Sequence, residues 1–251
     1  MKVTRLADLF VQKFGYRLTR EADLGIVHGV TLLRCLFSFL NIDMVFDVGA
    51  NEGQYGKLLR TQVGYCGPIV SVEPIPEVAA QLGRLAGSDP RWKTLNCALD
   101  NAPGVAPFRI MKGSEFSSLL EPDAAFIGKF DGQQMIDRTI NVRCEKLDTV
   151  VEAERMLNQF ARPLLKIDTQ GTELRVLQGA PATLREFVAV QLELSYRSIY
   201  THGTHYAAAV GFMKENAFEL SALFPNNRGH FPHLFDMDAI FVARDRLPPP
   251  K

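Results

Sequence analysis

The stretch Phe46–Gly56, FDVGANEGQYG, follows an apolar run and leads into a helical pattern. Glycine-rich turns at such junctions hold nucleotides. A P-loop requires Lys-Ser or Lys-Thr after its last glycine, whereas Gln54 and Tyr55 follow Gly53. The dinucleotide fingerprint G-x-G-x-x-G lets backbone N–H groups approach a pyrophosphate. Here Gly49, Asn51 and Gly53 occupy the turn, so asparagine replaces the second glycine. Asp47 sits just ahead of it. A carboxylate there repels a pyrophosphate and suits a cationic ligand.

Outward from this turn, apolar runs of strand length alternate with helical periodicity. Met44–Gly49 reads as a buried strand and 54–63 as a helix. Pro68–Pro74 is a second strand, Pro76–Gly87 a helix opened by proline and closed by glycine, and Trp92–Leu99 a third strand. This βαβαβ order implies a parallel sheet with right-handed crossovers. Val105–Lys112 reads as an added strand beside the third, Gly113–Gln134 as a loop or lid, and Thr139–Leu147 as a half-buried strand. Asp148 is placed to cap the helix running to Phe160. Leu164–Gly171 is a strand with its exit, 172–179 a helix, Val188–Ser195 a strand and Ala207–Asn216 a helix. Phe218–Phe224 and Ala239–Arg244 follow with no helix between them, so they are expected to pair antiparallel.

With 251 residues, 47% of them hydrophobic, the chain is long enough for a sizeable core. Lys plus Arg and Asp plus Glu each number 28. That balance calls for neither nucleic acid nor an anionic membrane as partner. Cys35, Cys66, Cys97 and Cys144 lack metal-ligand or redox spacing. With no signal-peptide layout at the N-terminus, they fit a reduced, cytoplasmic chain. Gly25–Ile42 is apolar but interrupted by His28 and Arg34, too polar to span a bilayer comfortably. It is expected to pack on the domain, with interfacial membrane contact as the alternative. The expected division is an N-terminal helical extension over 1–41, a catalytic domain over 42–246 and a disordered tail over 247–251.

Glu73 lies twenty-six residues after Asp47, at the end of the second strand. In doubly wound sheets an acid there meets ribose hydroxyls. Asp47 and Glu73 together favour S-adenosylmethionine, which lacks a phosphate and carries an ammonium and a sulfonium. Its methionine part is expected near Asp47, Gly49, Asn51 and Gly53, its ribose at Glu73, and its adenine near Ala98, Leu99 and Asp100.

Six segments, DVGANEGQYG, VEPIPE, SSLL at Ser117–Leu120, KLDTVV, LLKIDTQGTELRVLQGA and VQLELSY, resemble the FkbM family of S-adenosylmethionine-dependent methyltransferases. The resemblance runs from about Ile42 to Arg244. It implies the class I methyltransferase fold, an α/β Rossmann-like architecture whose seven-stranded, mostly parallel sheet ends in an antiparallel strand. It also implies methyl transfer to oxygen on a small molecule, sugar or natural product, and brings Ser117 among the cofactor-binding candidates.

For a hydroxyl acceptor the chemistry needs alignment and a proton acceptor. Asp168 ends the LLKID strand and is the leading candidate, either as base or as a cofactor contact; Glu173 and Gln170 lie beside it. Glu193, in the next strand, is expected to face the crevice or to pair with Lys166, since burying a lone carboxylate is costly. His202 and His205 are candidate bases because imidazole titrates near neutrality. Tyr196, Tyr200, Tyr206 and Phe231 are candidate pocket walls or core. Asp168 and Glu193 leave a divalent metal open, but no histidine-rich ligand set accompanies them, and a zinc site at His202/His205 or His230/His233 is not favoured. Two other readings stand: an NAD-type oxidoreductase, against which the missing fingerprint argues, and a non-catalytic module on the same fold. Homo-oligomerisation is compatible with the sequence.

Overall fold

Apart from Asp47, the strand β1 (Met44–Val48) is entirely apolar, and all of it is buried. Burial on both faces is what a central parallel strand requires. The computed structural model describes residues 24–126, 130–157, 159–226 and 232–248. The remaining strands are β2 (Ile69–Val72), β3 (Trp92–Leu95), β4 (Ala98–Leu99), β5 (Gly104–Met111), β6 (Ile136–Glu145), β7 (Pro163–Ile167), β8 (Ala189–Ser195), β9 (Phe218–Asn226) and β10 (Asp236–Ala243). Seven form the main sheet in the order β3-β2-β1-β7-β8-β10-β9. β10 runs antiparallel to β8 and β9, and the other pairs are parallel. This is the class I methyltransferase order. The strand order reverses between β1 and β7, so the ligand crevice belongs at their carboxyl ends.

The α-helices among the described residues are α1 (Leu24–Leu40), α2 (Gln54–Leu58), α3 (Pro76–Ala86), α4 (Leu147–Leu157), α5 (Glu173–Gln178) and α6 (Tyr206–Glu215). α2 continues into a π-helical turn over Leu59–Val63. On one face of the sheet, α4, α5 and α6 bury Val151, Val176, Leu177 and Met213 against Phe46, Ile167 and Leu192. On the other, α1 and α3 bury Leu33, Phe37, Leu40 and Leu82 against Val45, Ile69 and Ile240. In α1 the buried residues Val30, Leu33, Phe37 and Leu40 recur at three- and four-residue spacing, the signature of one helical face. Gly25–Ile42 thus packs on the domain. The rest of the expected N-terminal extension lies outside the described residues, as do 249–251, while Leu247 packs against the second core layer.

Three expectations need correction. The third strand does not run unbroken from Trp92 to Leu99. Asn96 donates its amide to the carbonyls of Glu73 (2.9 Å) and Pro74 (3.0 Å), turning the chain away from the sheet. β4 therefore joins a separate three-stranded sheet, β4-β6-β5, and β5 pairs with β6 rather than β3. Finally, Asp148 does not cap its own helix. Its carboxylate accepts the N–H groups of Ala182 (3.2 Å) and Thr183 (2.9 Å), pinning the turn after α5.

Gly49 and Gly53 both have positive φ, 78° and 80°. A Cβ on Gly49 would lie 1.8 Å from the Asp168 carbonyl oxygen. On Gly53 it would meet Leu82, Leu85 and Trp92. Both glycines therefore answer to neighbouring protein atoms. Gly49→Ala is expected to lower unfolding free energy by at least about 2 kcal/mol in urea titrations, from backbone strain and displacement of the β7 exit. Gly211→Ala, in α6 with open space around the new methyl, is expected to be neutral or to stabilise by up to about 1 kcal/mol. Equal effects at the two sites would remove the steric explanation.

Candidate active site

The carboxyl ends of β1, β2, β7 and β8 open into a cavity of about 760 Å³. The period of two along a strand sets its floor. Lys166 and Asp168, Gln191 and Glu193, and Asp236 and Asp238 are i, i+2 pairs whose side chains share the cavity face, on β7 and its exit, β8 and β10. Register aligns Lys166 with Asp47 on one side and Gln191 on the other, and Glu193 with Asp238.

A polar row crosses the sheet here. Trp92 Nε1 donates to Ser71 Oγ (3.0 Å), and Ser71 Oγ donates to Asp47 Oδ2 (3.0 Å). Lys166 Nζ lies 3.6 Å from Asp47 Oδ1 and 3.2 Å from Asp168 Oδ2. Gln170 Nε2 donates to Asp168 Oδ1 (3.0 Å) and to Glu193 Oε2 (2.6 Å). Tyr55 Oη donates to Gln191 Oε1 (3.0 Å).

Burial and charge divide these groups. Burial alone would raise Asp168, but Lys166 beside it, with hydrogen bonds from Glu193 and Gln170, holds its carboxyl below the usual range. Burial pushes Glu193 well up, reinforced by Asp168, Asp236 and Asp238. Burial would lower Lys166, yet Asp168 and Asp47 hold its ammonium above the ordinary lysine value. Burial raises Asp238 to about 6, with Asp168 adding to it.

At the opposite end, Glu73 Oε2 accepts the Asn51 N–H (2.9 Å) and Oε1 accepts the Ile75 N–H (2.9 Å). These bonds lock the β1–α2 turn, where Asn51 itself has φ 47°, to the end of β2. A carboxylate has about four acceptor positions, so Glu73 retains capacity toward the cavity. Burial raises it to about 7 despite those two bonds. Ala98, Leu99, Ile75 and Phe108 form an apolar slot beside it. The roof comes from His28, Val30 and Leu33 of α1, from Leu223–Pro225 of β9, and from Phe116, Phe130 and Phe235.

Of the residues expected at the site, Gly49, Asn51, Glu73, Ala98, Leu99, Ser117, Asp168 and Glu193 line this cavity. Asp47 lies under its floor, fully buried, and its cationic neighbour is Lys166 of the protein itself. Gly53 faces α3 and Trp92. Asp100 turns away to pair with Arg175, whose Nε lies 2.7 Å from Oδ1 and whose Nη2 reaches Oδ2. His202 and His205 are exposed and do not line the cavity. His205 instead caps α6, its Nδ1 accepting the Ala207 N–H (3.4 Å). Glu173 accepts the N–H groups of Thr169 and Gly171 and so supports the loop after β7. His230 and Phe231 lie outside the described residues. Among the described residues, no group of three or more His, Cys, Asp or Glu is placed to hold a metal. Sequence reasoning passed over Gln191, Asp236 and Asp238; the recurring x-Φ-x pattern KID, QLE and DMD was the available signal.

The Methyltransferase FkbM domain matches residues 47–220, and the chain belongs to that family. Among solved structures, an FkbM methyltransferase from Methylobacillus flagellatus KT is 15% identical over 80% of this chain, with a TM-score of 0.47. This chain spans 43% of that protein's length. Magnesium protoporphyrin IX methyltransferase from Synechocystis PCC 6803, solved with its methyl donor, is 8% identical over 93% of this chain and 88% of its own, with a TM-score of 0.46. Fibrillarin from Aeropyrum pernix is 14% identical, covering 80% and 66%, with a TM-score of 0.41. A search of curated proteins finds no match.

Glu73 and Glu173, both raised to about 7, and Asp238, raised to about 6, bind protons more tightly folded than unfolded. Where the folded state holds more protons, stability falls as pH rises. Without ligand, the thermal midpoint is expected to rise as pH drops from about 8 to about 5. Below the ordinary aspartate range the depressed Asp168 reverses the trend. Glu73→Gln should flatten the slope between about pH 7 and 5. A midpoint that falls over that interval would contradict the assignment.

Proposed function

We propose that the chain transfers a methyl group from S-adenosylmethionine to a hydroxyl oxygen of a small molecule, such as a sugar or natural product. The observation that carries this reading is the charge of the cavity. Lys166 is the sole lysine or arginine lining it among the described residues, and Asp47 and Asp168 already neutralise it. Carboxyl groups line both the β2 end and the floor. A pyrophosphate would meet no free cation, which disfavours NAD. A cationic donor without phosphate meets complementary groups.

The residues fit that donor. Glu73 has acceptor capacity for a ribose diol, the slot at Ile75, Ala98, Leu99 and Phe108 suits an adenine, and the β1–α2 turn at Gly49–Asn51 lies between them and Asp168. The bound donor supplies an electrophilic methyl group. The chain's own part is to bind, align and receive a proton. Asp168, held as an anion, accepts a hydrogen bond from the acceptor hydroxyl and orients its lone pair. With the donor bound, the Asp168–Glu193 carboxyls would take up the proton that the hydroxyl loses on methylation. The exposed His202 and His205 take no part in this account. Alignment of this kind supplies up to about 7–11 kcal/mol of barrier lowering.

Calorimetric titration tests the reading: S-adenosylmethionine and S-adenosylhomocysteine should bind and NAD should not. Glu73→Ala should weaken binding by about 1.5–3 kcal/mol. Unchanged affinity would remove the ribose assignment. In an acceptor screen with labelled methyl donor, Asp168→Asn should keep donor affinity within about tenfold while transfer falls roughly 10²-fold. Transfer near wild type would take Asp168 out of the chemistry.

A further inference from the structure

Gln170 stands in the left-handed backbone region, φ 56°. Such a conformation is costly for a non-glycine residue and persists only where the surroundings enforce it. Those surroundings are unusually complete. The Gln170 carbonyl accepts from Ser118 Oγ (2.7 Å). Its Oε1 lies 3.0 Å from Tyr200 Oη, a hydroxyl also 2.7 Å from the Phe116 carbonyl. Its Nε2 supplies both of its protons to acids, Asp168 and Glu193. A carboxamide nitrogen has two donors, so none remains for a ligand.

We infer that Gln170 is a positioning residue that ties the Asp168 and Glu193 carboxyls into one unit facing the acceptor end of the cavity. This rests on the methyltransferase reading above, since the unit's task is to meet the acceptor hydroxyl. Two carboxyls on adjacent strands would otherwise repel when both ionise. Lys166 and Gln170 hold Asp168 low, while burial and the charge of Asp168 push Glu193 up, so the two carboxyls share charge unequally. The groups that set this balance come from every side: Lys166 from β7, Asp236 and Asp238 from β10, Tyr200 from the loop before α6, and Asp47 from β1 beneath. Gln170 holds the two carboxyls together, and Lys166 decides which keeps the charge. With Lys166 on its other oxygen, Asp168 stays ionised and presents its remaining lone pairs to the cavity.

Carbon-13 NMR of labelled side-chain carboxyls, assigned with Asp168→Asn and Glu193→Gln, tests this in the full chain. In the wild type the two groups should titrate far apart, Asp168 below the ordinary range and Glu193 above it. Gln170→Gly suits the backbone and removes the bridge. It should stay folded, while the two titrations draw together by at least about one pH unit, tenfold in proton affinity. Gln170→Asn tolerates the same backbone but falls a methylene short, and should behave likewise. A purely structural glutamine would leave the titrations in place, so an unchanged separation in both variants overturns the inference. S-adenosylhomocysteine titration of the wild type separates the two levels. Failure to bind overturns the methyltransferase reading, and with it the unit's assigned task, independently of the carboxyl titrations.

Discussion

One buried cation organises the centre of this molecule. Lys166 projects from β7 into a space where its ammonium is almost wholly removed from water. An isolated charge there would carry a penalty of several kcal/mol. Asp47 on the neighbouring strand and Asp168 beyond the strand end offset it. The same arrangement that makes β1 and β7 compatible neighbours also depresses Asp168, and burial together with the charge of Asp168 pushes Glu193 up. Packing and site chemistry are therefore not separable here: the residue that satisfies the core sets the charge of the cavity floor.

From that floor the site extends in two directions. Toward β2, Glu73 links the end of one strand to the turn after another, so this end of the cavity is held in place by the protein's own hydrogen bonds. Toward β8 and β10, the cavity changes character. Carboxyls continue along the floor, while α1, β9 and three phenylalanines close over it. This end of the cavity thus sets an apolar roof over a polar floor. The roof combines α1, β9, Phe116, Phe130 and Phe235, so much of it comes from outside the repeating βα pattern.

The parallel core was legible because its signals are local: apolar runs, the proline and glycine bounding α3, and the missing helix before β10. Glu73 and Asp168 could be placed because strand ends at a switch point are defined by order alone. Asp47 could not, since its fate depends on Lys166, more than a hundred residues away. The break at Asn96 was hidden for the same reason: its amide is satisfied by carbonyls of β2's exit, a contact no periodicity reveals. Asp148 and His205, residues suited to capping and catalysis, are each claimed by backbone groups that the fold brings near. The polar pairs of β7, β8 and β10 were visible in sequence, but only register shows that they meet.

The most direct measurement is a double-mutant cycle on Lys166 and Asp47, read by urea unfolding. Lys166→Met strands two carboxylates and should cost about 3–5 kcal/mol. Asp47→Asn leaves Lys166 with Asp168 alone and should cost less. If the cation is the organising element, the double variant should be more stable than the sum of the single losses implies, by more than about 1 kcal/mol. Losses that add to within about 0.5 kcal/mol would contradict the account and return Asp47 and Lys166 to independent roles.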